Sequence, residues 1–182
     1  MSNHAASGAI PAANTGIDRI IFIIDQISIW TGKATAWLII PMAGVLVYEV
    51  FMRKVFSPWI YSHDIATQLY GTHFLLTAAF CLYLGKHIRT DLFFDKWSPY
   101  TQAWVDFVCY ITLFMPGMLL FLYLGWDFAA ESWDLHERLL TPGRPPAYFY
   151  KSMLPLGTAL LTLQGVSEML KSYKVIKKGR QQ

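Results

Sequence analysis

The chain contains little charge for its length, and this shortage indicates the class of protein. Of its 182 residues, 15% are charged and 54% are hydrophobic. A soluble domain usually carries about 25% charged residues, so the deficit favours a lipid bilayer as the solvent. The formal net charge of +3 is too small and too scattered to indicate nucleic-acid binding.

Cysteine is equally scarce, and the common catalytic motifs are missing. Cys81 and Cys109 both lie within apolar runs, which argues against a disulfide scaffold, a CxxC redox centre and a cysteine-based zinc site. We predict two buried thiols that pack as small hydrophobic groups. The sequence has no phosphate-binding loop, nucleophile elbow, HExxH motif or metal-ligand cluster. We therefore expect no enzyme, no cofactor and no metal.

The N-terminal part divides into a tail and an amphipathic helix. Residues 1–16 contain no Lys or Arg, which makes them a poor signal peptide and predicts a disordered tail. From residue 17 onwards, isoleucines recur at helical spacing, at Ile17, Ile20, Ile21, Ile24 and Ile27. Asp18, Asp25 and Gln26 lie away from this stripe. The pattern predicts an interfacial helix that lies in the headgroup plane and precedes the spans.

Four apolar segments, at about 34–51, 64–84, 103–126 and 148–170, are candidates for transmembrane helices. The fold class is therefore all-α integral membrane, with a four-helix membrane domain over residues 17–173. Residues 174–182 form a basic tail. Pro116 lies inside the third segment, where we expect a kink.

The loops differ in their number of basic residues, and this difference predicts the topology. On one side stand nine, namely Arg19, Lys86, Arg89, Lys96, Lys171, Lys174, Lys177, Lys178 and Arg180. On the other stand five, namely Arg53, Lys54, Arg138, Arg144 and Lys151. The positive-inside rule then places both termini and the loop around His87, Arg89 and Asp91 in the cytoplasm.

Charged and aromatic side chains near the span ends are candidates for structural or partner contacts. Glu49 and Arg53 have the i,i+4 spacing of a helical ion pair, and Asp64 opens the second span, where a carboxylate suits the helix dipole. Trp59 follows a proline turn at the outer interface. Asp127, Glu131, Asp134 and Arg138 share one predicted helix face, with Asp134 and Arg138 as a second i,i+4 pair. This face is either part of a partner's docking surface or a solvated helix surface.

The residues by themselves are also compatible with two other functions. His73 is the only histidine deep within a span, so a haem- or quinone-associated redox anchor is one alternative, although we expect His73 to be a packed, hydrogen-bonded residue. A small transporter or channel formed by oligomerisation is the other. Intramembrane carboxylates usually mark an ion pathway, whereas Glu49, Asp64, Asp106 and Glu168 all lie near span ends.

Three short motifs carry a family resemblance. They are Tyr48-Glu49-Val50-Phe51-Met52-Arg53 followed by Phe56, Pro58 and Trp59; His87-Ile88-Arg89-Thr90-Asp91; and Pro155-Leu156-Gly157 with Gln164. In this order and spacing the chain resembles the small membrane subunit, or DctQ-like family, of tripartite ATP-independent periplasmic (TRAP) transporters. It departs from the pattern at Asp64, where glutamate is usual, and at Thr90, where valine is common.

The resemblance implies an accessory scaffold subunit in the bacterial inner membrane. Its partners would be a large permease subunit, which carries the sodium and substrate sites, and a periplasmic substrate-binding protein that delivers a small organic anion, often a carboxylate. Membrane lipids would surround the complex.

Overall fold

The computed structural model describes residues 16–55, 62–85, 98–141 and 144–179. Within these residues the fold is helical, with one isolated bridge between Arg138 and Pro146 as the extended pairing. The helices are α1 (Gly16–Ala36), α2 (Ile39–Val55), α3 (Ser62–Tyr83), α4 (Pro99–Cys109), α5 (Met115–Asp134) and α6 (Tyr148–Gly179). A π-helical turn, Tyr110–Phe114, joins α4 to α5. The predicted tail lies outside the described residues except for Gly16, which begins α1.

Three stretches of the described chain are long and apolar enough to cross a membrane. They are Gly16–Val55, Asp64–Tyr83 and Tyr100–Asp134. The prediction of an all-helical membrane protein is thereby confirmed, and the first three predicted spans fall within these stretches. The fourth predicted span, 148–170, lies on α6, which does not meet the same criterion. Residues 174–179, predicted as tail, continue α6.

Helix α6 fails that criterion because it is the polar centre of the bundle. It packs against α1, α3, α4 and α5. Its buried residues are mostly small or polar: Pro155, Gly157, Thr158, Thr162, Gln164, Gly165, Ser167 and Ile176. Large apolar side chains on α1, α2 and α5 point outward instead, including Trp30, Val47 and Tyr123. Small and polar residues at helix contacts are typical of bundles in lipid, where apolar side chains gain nothing by facing inward.

The thiols differ from the prediction. Cys81 is half-buried, but Cys109 is exposed. The prediction of a buried thiol is therefore wrong for Cys109, because that side of α4 faces away from the bundle.

The chain bends between α1 and α2. Pro41 has no N–H to donate to the carbonyl of Trp37. Hydrogen bonds that span three residues replace the α-helical bonds that span four, from Leu38 N to Thr35 O (2.9 Å) and from Ile40 N to Trp37 O (3.3 Å). His73 Nδ1 of α3 lies 3.1 Å from the same Thr35 carbonyl oxygen. The prediction that His73 is a hydrogen-bonded packing residue is confirmed.

The π-helical turn precedes Pro116 by one residue. Because Pro116 cannot donate to the Thr112 carbonyl, the regular ladder is broken there, and the N–H of Met115 instead bonds to the carbonyl of Tyr110. The hydroxyl of Thr112 donates to Val108 O (2.8 Å). The structure thus places a π-turn beside Pro116, and the kink stays a prediction.

The connection between α5 and α6 is an ordered hairpin in its described residues. Leu139 N bonds to Pro145 O (3.0 Å) and Ala147 N bonds to Glu137 O (2.9 Å). His136 adopts φ 46°, a left-handed conformation that ends α5. The hairpin is fixed to α3 by the Thr141 hydroxyl, which donates to Asp64 Oδ2 (2.5 Å).

Candidate functional site

A polar cluster joins α1 to α6 along their contact. Asp25 accepts hydrogen bonds from Gln164 Nε2 (3.0 Å) and from Ser167 Oγ (2.7 Å). Ser28 Oγ donates to Gln164 Oε1 (2.7 Å). Ser28, Gln164 and Ser167 are fully buried. We call Asp25, Ser28, Gln164, Ser167, Glu168 and Lys171 the α1–α6 cluster.

Lys171 is the cation of this cluster and lies between two carboxylates. Its Nζ is 2.9 Å from Asp25 Oδ2 and 2.7 Å from Glu168 Oε1. Gln164 Nε2 also donates to Glu168 Oε1 (3.1 Å). A further ion pair between Lys174 and Asp18 continues the contact towards the end of α6. Because partly buried charges are costly when unpaired, these pairs hold α1 against α6.

The α1–α6 cluster shows which side of α1 faces the bundle. Asp18 and Asp25, predicted to lie away from the isoleucine stripe, both face α6. Gln26 is exposed, as are Ile17, Ile20 and Ile27 of the predicted apolar stripe. Whether α1 lies in the headgroup plane stays a prediction.

Sequence reasoning did not select this cluster as a site. The available signal was helical spacing of polar residues on two helices, with Asp25, Ser28 and Gly32 on one and Gln164, Ser167 and Lys171 on the other. Such a stripe within an apolar helix indicates a helix–helix contact.

Glu49 and Arg53 form the ion pair that their spacing predicts. Arg53 Nη2 lies 2.5 Å from Glu49 Oε1 on α2. The side chain of Glu49 is 10% exposed and that of Arg53 is 66% exposed. The carboxylate of the pair is therefore largely buried, whereas its guanidinium group is exposed at the protein surface.

A second ion pair fixes the hairpin to α6. Lys151 pairs with Glu137, and Ser132 Oγ donates to the same carboxylate oxygen (2.9 Å). The hydrogen bond from Lys151, assisted by that from Ser132, holds the pKa of Glu137 below its usual value of 4.5. Lys151 also lies 4.0 Å from the centroid of the Phe128 ring. The ion pair of Lys151 therefore joins the hairpin to α6, whereas Ser132 joins the hairpin to α5. The contact of Lys151 with Phe128 joins α6 to α5.

Only three of the four charged residues predicted to share a helix face lie on α5, because the helix ends before the fourth. Asp127, Glu131 and Asp134 are exposed on α5, at i, i+4 and i+7. Arg138 lies beyond the helix, so the predicted i,i+4 pair of Asp134 with Arg138 is wrong, because α5 ends at Asp134. Arg138 belongs to the hairpin, where it bridges to Pro146.

The predicted residues of α6 lie at its contact with α3. Pro155 and Gly157 are buried. A Cβ atom at Gly157 would lie 3.0 Å from the carbonyl oxygen of Leu75 and 3.0 Å from its Cβ. This close approach of the two backbones favours a residue without a side chain.

Four predicted residues lie outside the described part of the chain. They are Trp59, His87, Arg89 and Asp91. Their proposed roles stay predictions.

Among residues 16–55, 62–85, 98–141 and 144–179, no group of three or more His, Cys, Asp or Glu side chains could hold a metal ion. The α1–α6 cluster and the hairpin contacts instead join helices to one another. A bundle with an inward polar contact and an outward apolar surface is that of a membrane protein.

The family model described as "Tripartite ATP-independent periplasmic transporters, DctQ component" matches residues 42–175. The chain belongs to this family, the small membrane subunit of TRAP transporters, which is a component of a transporter. A comparison with curated proteins finds no match to this chain.

Proposed function

We propose that the chain is the scaffold subunit of a sodium-coupled, binding-protein-dependent TRAP transporter for small organic anions, with carboxylates as the substrate class. Its partners are a large permease subunit in the bacterial inner membrane and a periplasmic substrate-binding protein. The permease supplies the sodium and substrate sites.

The observation that carries this proposal is the pairing within the α1–α6 cluster. Asp25, Glu168 and Lys171 satisfy one another at 2.7–3.1 Å. Charged groups within membrane segments either line a water-filled pathway for an ion or pair with one another. Charges that neutralise one another across two helices instead stabilise a fixed arrangement, which is what a scaffold requires.

We propose that α6 is the fourth span and that both termini are cytoplasmic. A helix of 32 residues extends about 48 Å at 1.5 Å per residue, more than the roughly 30 Å of a bilayer core. The polar residues of α6 are covered by four neighbouring helices, which allows a weakly apolar helix to cross. The basic residues around 171–178 then lie on the cytoplasmic side.

In this orientation the hairpin and the acidic end of α5 face the periplasm. Asp127 and Glu131 are exposed there, and exposed charges mainly steer encounter and orientation of a partner. We assign these two residues to the docking surface of the periplasmic binding protein.

Co-purification with the large subunit tests the proposal. The large permease subunit of the same transporter is produced with an affinity tag, together with this chain, and solubilised in mild detergent. We expect a stoichiometric complex that survives size-exclusion chromatography. Recovery of the tagged large subunit without this chain, when both are present in the membrane, would contradict the scaffold function.

A further inference from the structure

Helices α5 and α6 leave an open apolar groove between them. Its volume is about 1010 Å³. Its walls include Tyr123, Trp126, Ala130 and Trp133 of α5, and Leu156 and Ala159 of α6. Tyr123, Trp126 and Trp133 are exposed although they are large and aromatic.

The floor of this groove is shaped for close approach of another helix. Ala129 and Pro155, which are buried, line it with small side chains, as at helix contacts in membranes. One turn of an α-helix with its side chains, 10–12 Å wide and 5.4 Å long, occupies roughly 400–600 Å³. The groove is therefore large enough to receive side chains from one face of a helix.

The edge of the groove carries negative charge. Asp134 lines it and is exposed. The indole N–H of Trp133 donates to Ser152 Oγ (2.7 Å) and is therefore not available to a ligand. The polar group that remains beside it is the carboxylate of Asp134. A lipid phosphate would be repelled here, whereas a Lys or Arg at the end of a helix would be attracted.

We propose that this groove receives a transmembrane helix of the large permease subunit, with a basic residue at its outer end beside Asp134. The inference rests on the proposed function and adds to it the surface used. Tyr123, Trp126 and Trp133 would then supply the buried aromatic contacts that usually dominate an interface.

The first test fills the groove. Ala130→Trp places a large side chain at an exposed position on its wall, and Ala43→Trp places the same side chain at an exposed position of α2, outside the groove. In co-purification with the tagged large subunit, we expect recovery of the Ala130→Trp chain to fall about tenfold or more, as for a blocked interface centre, and that of Ala43→Trp to stay at the wild-type level.

The opposite pattern, or normal recovery of both variants, would overturn the groove as the interface. Failure of the wild-type chain to co-purify would count against the proposed function itself, so the two failures are distinguishable.

The second test identifies the occupant without disturbing the fold. A photoreactive benzoylphenylalanine replaces Tyr123 in the assembled complex, and the adduct is identified by mass spectrometry. A cross-link to a transmembrane helix of the large subunit is expected. Adducts with lipid only would show that the groove holds an acyl chain and would overturn the proposal.

The third test separates charge from shape. Asp134→Lys should lower recovery of the complex, whereas Glu131→Lys, an equal charge reversal one helical turn earlier and outside the groove, should not. Equal effects of the two reversals would contradict a basic residue beside Asp134.

Discussion

Lys171 is the residue on which the polar contact between α1 and α6 depends. Its ammonium group lies between Asp25 and Glu168, and its Nζ is also 5.2 Å from the centroid of the Tyr83 ring in α3. One side chain thus contacts three helices. Without it, two carboxylates would face each other with Gln164 and Ser167 as their remaining donors.

Lys171→Met should therefore lower the stability of the folded chain by about 1–3 kcal/mol, the cost of leaving partly buried polar groups unsatisfied. Thermal unfolding in detergent measures this change, and Lys177→Met, at an exposed position of the same helix, is the control. Adding Asp25→Asn should restore part of the loss, because it removes the unpaired charge. Equal melting temperatures for the two lysine variants would contradict the role of Lys171.

Glu137 makes a pH-dependent contribution through its ion pair with Lys151. Its pKa in the folded chain is lower than 4.5, so the contribution is complete above the unfolded value and is lost as the pH falls through the folded value. We expect wild-type protein to melt at a higher temperature than Glu137→Gln at neutral pH, with the difference shrinking below pH 4.5. A difference that does not change with pH in that acidic range would contradict this.

At the scale of the elements, Gly157 of α6 lies against the backbone of Leu75 in α3. We expect Gly157→Ala to destabilise the bundle by about 1–3 kcal/mol, because the added Cβ meets the backbone of Leu75. Gly44→Ala in α2 is the control, since a Cβ there meets nothing within 4 Å. That control should be neutral or stabilising by up to about 1 kcal/mol from helix propensity. Thermal unfolding that changes equally in both would refute the close-packing argument.

The elements also show what sequence reasoning could reach. The positions of α3 and of the segment formed by α4, the π-turn and α5 follow from long, predominantly apolar runs. The broken ladder before Pro116 follows from its missing N–H. The orientation of α1 was not accessible in this way, because the partner of Asp25 is Gln164, which is 139 residues away. The end of α5 was missed because His136, not a glycine, takes the left-handed conformation.

At the scale of the molecule, contacts between residues far apart in sequence also form the candidate site, and sequence reasoning could not predict them. Glu49 and Arg53 could be paired from sequence because both belong to one helix turn. The α1–α6 cluster and the α5–α6 groove arise from packing between distant segments, and no local pattern specifies which helices meet. Residues 148–170 of α6 were predicted as a span from their apolar run, whereas the structure shows that polar side chains of this helix form its contacts with the other helices.

Asp127 and Glu131 of α5 should matter for transport and not for assembly. Reversing Asp127 and Glu131 together to Lys should leave recovery of the complex with the large subunit unchanged. Uptake should fall most at low ionic strength, since exposed charges are screened within about 8–10 Å at physiological salt. Unchanged uptake at every salt concentration would assign these residues to a solvated helix face.

Reconstituted uptake tests the central claim, that this chain supports transport and does not perform it. Proteoliposomes are made with the chain alone, and with the chain, the large permease subunit and the binding protein together, and uptake of a panel of radiolabelled small carboxylates is followed under an inward sodium gradient. We predict sodium-dependent uptake in the three-component vesicles and none above empty vesicles with the chain alone. Sodium-driven uptake by the chain alone would contradict the scaffold function.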